Sequence, residues 1–142
     1  ARADVVAAVN STDSLSGWVS LQHAWGGRPA VIVETGSHLE SVRAVATGRA
    51  DVASIDAVSW ALFAELEPES VSLLHVVGAG PRVPCLPVVA SSAHAGDVPA
   101  LRTAFAAAVA DPAASEACAA LRIRGFVPMD LADYLPLRSL VP

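Results

Sequence analysis

Three short stretches of this chain collect hydroxyls, carboxylates and a histidine where a strand hands over to a helix. Residues 10–17 read Asn-Ser-Thr-Asp-Ser-Leu-Ser-Gly, residues 34–38 Glu-Thr-Gly-Ser-His, and residues 54–56 Ser-Ile-Asp. At a helix start the first backbone N–H groups lack intrahelical acceptors and face outward, which makes an anion-binding site. Hydroxyl side chains at the same place supply further donors. Such chemistry suits capture of a small oxyanion-bearing ligand rather than reaction upon it, and the candidate contacts are Ser14, Ser16, Ser37, His38 and Asp56. Ser, Thr and Asp are also the ordinary N-caps, so capping alone suffices for any one loop. Repetition at topologically equivalent points is what favours a ligand.

His38 stands at the first turn of a helix, where the dipole disfavours a cation. A bound anion reverses that penalty, so a donor role is favoured over a plain surface one. His23, His75 and His94 have no comparable setting and read as structural or surface residues. Asp56 either caps the next helix or accepts a hydrogen bond from the ligand. A carboxylate beside a fully ionised oxyanion repels it, so at the site Asp56 must face a donor or a protonated ligand.

Ser14 or Ser16 with His38 and Asp56 also spells a nucleophile, a base and an orienter. The Gly-x-Ser-x-Gly elbow is missing, because Ser14 occupies the position two before Ser16 where that motif has glycine. The carboxylate follows a different strand from the histidine, and nothing in the sequence fixes the imidazole tautomer. Catalysis is therefore not expected. Neither paired His nor paired Cys spacing suggests zinc, and no cofactor is expected.

The elements that must position these loops follow from periodicity. Residues 4–9 form a strand-like run, and a short helix is expected over 18–24, closed by Gly26-Gly27-Arg28-Pro29. Residues 30–34 read as a continuous apolar strand of the buried parallel kind. From Ser37 the pattern is helical, with Leu39, Val42, Val45 and Ala46 on one face and Gly48 as the stop. Ser37 and Glu40 have the spacing of a capping box. Residues 51–55 are the next strand, and Asp56 caps a helix over 57–66 that Pro68 ends. Residues 70–77 read as a further strand. The order implies an α/β fold with a parallel or mixed sheet flanked by helices.

Residues 78–88 hold Gly78, Gly80, Pro81, Pro84 and Pro87 and read as a crossing between two bodies. A short strand over 88–90 and a helix capped near Asp97 follow, with Leu101, Phe105, Ala108 and Val109 on its buried face. A helix over 113–121 leads to an irregular tail. Residues 1–78 thus make one lobe, and residues 79–142 lack a complete sheet of their own.

The 142 residues suffice for an ordinary core, and at 54% hydrophobic and 16% charged residues the chain is not disordered in character. A formal net charge of −5 argues against a nucleic-acid or anionic-membrane surface. No apolar run reaches the roughly 18–20 residues of a bilayer span, and Arg2 and Asp4 interrupt the apolar start, so no signal peptide is read within the chain. Cys85 and Cys118 lack metal spacing and stand either as a disulfide or as two thiols.

With the loops placed, the chain resembles the C-terminal half of the substrate-binding proteins of phosphate, phosphite and phosphonate ABC transporters. The resemblance rests on Asn10 with Asp13-Ser14-Leu15-Ser16-Gly17, on Thr35-Gly36-Ser37-His38 with Ser41 and Arg43-Ala44-Val45, and on Gly48, Ala50-Asp51-Val52-Ala53, Ile55-Asp56 and Trp60. Pro84, Leu86-Pro87-Val88 and Gly125-Phe126 extend it over nearly the whole chain. It implies a type II periplasmic-binding-protein fold of two lobes with the ligand between them. The serine-rich loop then holds phosphoryl oxygens through Ser14 and Ser16. His38 adds a contact with Ser37 beside it, and Asp56 is a further member. Leu15 stands where a hydroxyl residue is frequent, which removes one donor. The resemblance further implies a periplasmic or extracytoplasmic importer component that meets an ABC permease, without inserting in the membrane itself. An effector domain of a regulatory protein is the alternative, with a Ser/His hydrolase third. Residues 79–142 become the crossover and closing helices of the first lobe, whose N-terminal portion the sequence lacks. Weak affinity in isolation, or self-association through the incomplete lobe, is the expectation.

Overall fold

Four small apolar residues, Val6–Val9, form the central strand (β1) of a three-stranded sheet. Val31–Glu34 (β2) and Val52–Ala53 (β3) flank it in the order β2-β1-β3, both parallel to it. The register sets Val6 opposite Val31 and Ala7 opposite Ile32 and Val52. The computed structural model describes residues 4–141 and divides into two compact units, Ala1–Val83 with Leu137–Pro142, and Pro84–Pro136.

Strand side chains alternate between faces, so β1 serves two cores at once. Ala7 and Val9 pack with Trp18 and Leu21, joined by Ile32 and Val52. Ala8 packs with Ala44 and Ala50, joined by Val6, Val45 and Ala53. Trp18 lies in a π-helical stretch, Leu15–Val19, that runs into a helix over Ser20–Trp25 (α1). Ala44 belongs to the helix His38–Ala46 (α2). Helices therefore cover both faces of β1, which is why its sequence is apolar without alternation. Asp51 fixes the entry to β3, its amide donating to the Val6 carbonyl at 2.8 Å and its carboxylate accepting the Val6 N–H at 2.8 Å. Gly48 stands just past α2 at φ 73°, the left-handed stop expected there.

The structure departs from the sequence reading in several elements. The helix expected over 18–24 begins earlier, at Leu15, because the Ser14 hydroxyl caps it. β2 is an edge strand with half-exposed residues rather than a buried one. Pro68 ends the helix Ala57–Leu66 (α3) but also opens a short helix, Pro68–Ser72 (α4), where its missing N–H costs nothing. The strand expected over 70–77 is consequently absent. Beyond α4 the chain is irregular to Ser91, and the strand expected over 88–90 has no ladder either.

The second unit is built from helices over Val98–Ala110 (α5), Ser115–Ala120 (α6) and Leu131–Tyr134 (α7), with short 3₁₀ turns between. Phe105 and Phe126 stack at 5.5 Å between ring centroids. Arg102 donates to the Met129 carbonyl at 2.8 Å and to Asp130 at 2.7 Å, and the Tyr134 hydroxyl to the Cys85 carbonyl at 3.1 Å. The buried face expected on α5 is not formed, since none of its residues is buried and Leu101 and Phe105 remain about two-fifths exposed. Asp97 does not cap α5 through its side chain, which pairs with His94 instead at 2.9 Å. Cys85 and Cys118 are free thiols. Among the described residues no helix is long and apolar enough to cross a membrane.

Candidate ligand site

The parallel ladder continues past β2 into the loops. The Thr35 amide donates to the Val9 carbonyl at 2.8 Å and the Gly36 amide to the Asn10 carbonyl at 3.0 Å. These bonds hold the loop after β1 beside the loop after β2. The third loop joins them through Ser54, whose hydroxyl donates to the Ser16 carbonyl at 2.6 Å. All three polar strand ends thus converge at the carboxyl edge of the sheet, where ligands bind in open parallel sheets.

Each loop ends in a side-chain cap. Ser14 Oγ accepts the Gly17 amide at 3.0 Å, Ser37 Oγ the Glu40 amide at 3.1 Å, and Asp56 Oδ1 the Ser59 amide at 2.9 Å. Only the serine half of the box expected at Ser37 and Glu40 forms, because the Glu40 carboxylate turns to Arg43 at 2.9 Å. Arg43 also reaches Glu67 at 2.7 Å, and these two carboxylates raise its pKa further. The caps leave the amides of Leu15 and Ser16, of His38 and Leu39, and of Ala57 and Val58 without intrahelical acceptors. α2 and α3 are complete helices of nine and ten residues, so their dipoles add to the positive potential there.

Ser16 and His38, from different loops, meet directly, with Ser16 Oγ 3.0 Å from His38 Nε2. His38 Nδ1 is buried and has no partner among the described residues, and Asn10 Oδ1 shares that condition. Burial holds the His38 imidazole below its ordinary pKa, and the nearby Asp56 carboxylate opposes this in part. At neutral pH the ring is therefore uncharged. Beneath it, Thr35 Oγ1 lies 3.0 Å from the Val9 carbonyl and 2.7 Å from the Ser41 hydroxyl, which locks the loop from below.

Gly17 makes the tight fit possible. A Cβ there would lie 1.8 Å from Asn10 Oδ1 and 3.2 Å from Ser14 Oγ. Gly36 has φ 85°, a conformation that side chains other than hydrogen disfavour.

Of the five residues picked out in the sequence, Ser16 and His38 are brought into contact, and Asp56 acts on His38 through its charge. Ser14 and Ser37 cap their own helices beside the exposed amides. Asn10, Thr35 and Ser54 were not among the five, although each stands in one of the three polar stretches. Their signal was position, since all three end or follow a strand. Arginine is absent from this set of residues. An open hollow of about 360 Å³ beside Gln22, His23 and Arg28 includes none of them.

A three-stranded parallel sheet with helices on both faces and polar loops at its carboxyl edge defines an α/β lobe. Residues 4–134 match the sequence model of a family described as ABC transporter, phosphonate, periplasmic substrate-binding protein. The chain belongs to that family, which serves transport and is extracytoplasmic, with a small-molecule ligand and an ABC permease as its partners. No curated protein matches the chain in sequence.

Proposed function

We propose that this chain captures a phosphate-, phosphite- or phosphonate-type oxyanion for import, outside the cytoplasm. The observation that carries this is the convergence of three helix starts on the Ser16–His38 pair at 3.0 Å. The loop amides and the Ser16 hydroxyl donate to the oxyanion, with Ser14 and Ser37 at the rim. His38 donates from one nitrogen once the anion favours its protonated form. Asp56 faces a donor on the ligand, either a P–OH group or an ammonium, because two bare anions in contact repel. In this reading residues 1–78 are the second lobe and residues 79–142 the crossover and closing helices of the first. The compact units divide between Val83 and Pro84, close to the expected crossing, while Leu137–Pro142 group with the first unit.

The Ser16–His38 contact also fits a nucleophile and its base, and a hydrolase is the second reading. A base needs its other nitrogen oriented by an acceptor. His38 Nδ1 has none among the described residues, which favours capture.

NMR titration of the ¹⁵N-labelled chain with phosphate, phosphite and methylphosphonate tests the proposal even at weak affinity. The amides of residues 15–17, 38–39 and 57–58 should shift with at least one ligand, and Ser16→Ala and His38→Ala should abolish the shifts. No change in those amides at millimolar ligand would overturn the reading. Turnover of a phosphoester that is lost on His38→Ala would replace capture by hydrolysis.

A further inference from the structure

The Ser54 side chain joins the third loop to the first. Ser54 stands one position past β3, which pairs with β1 at Val52 and Ala53. Strand side chains alternate, so Ser54 faces the same side of the sheet as Val52. Val52 packs on the cluster of Trp18 and Leu21, so that side is covered by the helical stretch that starts at Leu15. The Ser54 hydroxyl meets this stretch at its first turn and donates to the Ser16 carbonyl at 2.6 Å, across 38 residues of sequence.

Ser16 is thereby gripped from two loops. Ser54 fixes its carbonyl, and the second loop meets its hydroxyl, with Oγ 3.0 Å from His38 Nε2. A serine at a helix start otherwise chooses among staggered rotamers and frays with the first turn. The His38 contact sets the side-chain torsion, and the carbonyl bond holds the backbone from which that torsion starts. A serine hydroxyl carries one donor proton. Ser54 uses its proton on the Ser16 carbonyl and keeps none for an oxyanion. It therefore acts through Ser16 and not upon the ligand.

We infer that Ser54 is a positioning residue, whose hydrogen bond to the Ser16 carbonyl sets the geometry in which Ser16 and His38 meet the ligand. The ligand rests on the capture reading above, whereas the geometry of the pair can be measured without one.

In the ligand-free chain, Ser54→Ala should move the ¹⁵N resonances of the His38 ring and of the Ser16 amide, with the far-ultraviolet circular dichroism unchanged. Ser54→Thr keeps the hydroxyl and should return both resonances to the parent positions. With whichever of phosphate, phosphite and methylphosphonate shifts the parent amides, Ser54→Ala should need about two- to tenfold more ligand for half saturation, the loss expected for one hydrogen bond. Ser54→Thr should match the parent. Ring resonances that Ser54→Ala leaves in place overturn the inference. So does an unchanged half saturation, or a threonine variant that behaves like the alanine one. If no oxyanion shifts the parent amides, the capture reading falls by itself, and the ring resonances still decide whether Ser54 sets the pair. If Ser54→Ala does not fold, the Ser54 hydroxyl proton of the parent decides. A separate resonance in cold water with Overhauser contacts to Ser16 and Gly17 supports the inference, and exchange too fast for it to be seen overturns it.

Discussion

At the residue scale, His38 is a group whose titration the fold perturbs. Burial lowers its pKa below the ordinary value of about 6.5. Below that pH the unfolded chain binds a proton that the folded chain resists, so stability falls on acidification through this range and is kept above it. The melting temperature of His38→Asn should therefore decline less between about pH 7 and pH 5 than that of the parent. Thermal scans across that range decide it, and equal slopes would show that His38 titrates as it does in the unfolded chain. An oxyanion beside the ring acts in the opposite sense and favours the imidazolium. Binding near pH 6 should then take up protons. Calorimetry in buffers of different ionisation enthalpy measures this uptake, and it should vanish in His38→Asn. Gly17→Ala is the second residue-level prediction. Asn10 must swing out of the added methyl's way, at about 1–3 kcal/mol of stability by chemical denaturation.

At the scale of elements, caps and ligand contacts can be separated at Ser37. Ser37→Ala removes the acceptor for the Glu40 amide and should cost about 1 kcal/mol, whereas Ser37→Gly should cost only a few tenths. If Ser37 only caps, the glycine variant keeps its ligand-induced amide shifts. If it also donates to the ligand, both variants lose them. Val42, 1% exposed on α2, tests the packing of that helix. Val42→Ala should cost about 2–3 kcal/mol in urea unfolding through lost burial and the cavity left behind. The same elements mark what could be read from sequence. The caps at Ser37 and Asp56 were legible because a helix start demands an acceptor locally. So was the glycine stop at Gly48. The Ser16–His38 contact was not, since it depends on how two parallel strands lie side by side. The run 70–77 misled for the same reason: its residues favour a strand, but a strand requires a partner edge, and Pro68 starts a helix at no cost.

For the whole molecule, protection is unevenly shared. Ala7, Ala8 and Val9 are fully buried, while no residue of α5 or α6 is. Local opening free energy follows buried apolar contact. Native-state hydrogen exchange should therefore find the amides of β1 slowest and those of α5 and α6 faster. Equal protection in α5 and β1 would contradict this layering. The convergence of three loops could be anticipated from their repeated polarity, whereas the uneven burial could not. Leu101 and Phe105 have the spacing of a buried face whether or not anything covers them.

One property of the loop cluster reaches into the medium in which it must work. All nine fixed positive charges of the chain are arginines, and none belongs to the residues that converge around Ser16 and His38. Attraction by amide dipoles and hydroxyls acts over a few ångströms, well inside a screening length of about 8 Å at physiological salt. Ions in solution screen direct hydrogen bonds less than they screen pairs of separated full charges. If capture rests on these contacts, the ligand concentration at half saturation of the amide shifts should change little between dilute buffer and about 0.15 M salt.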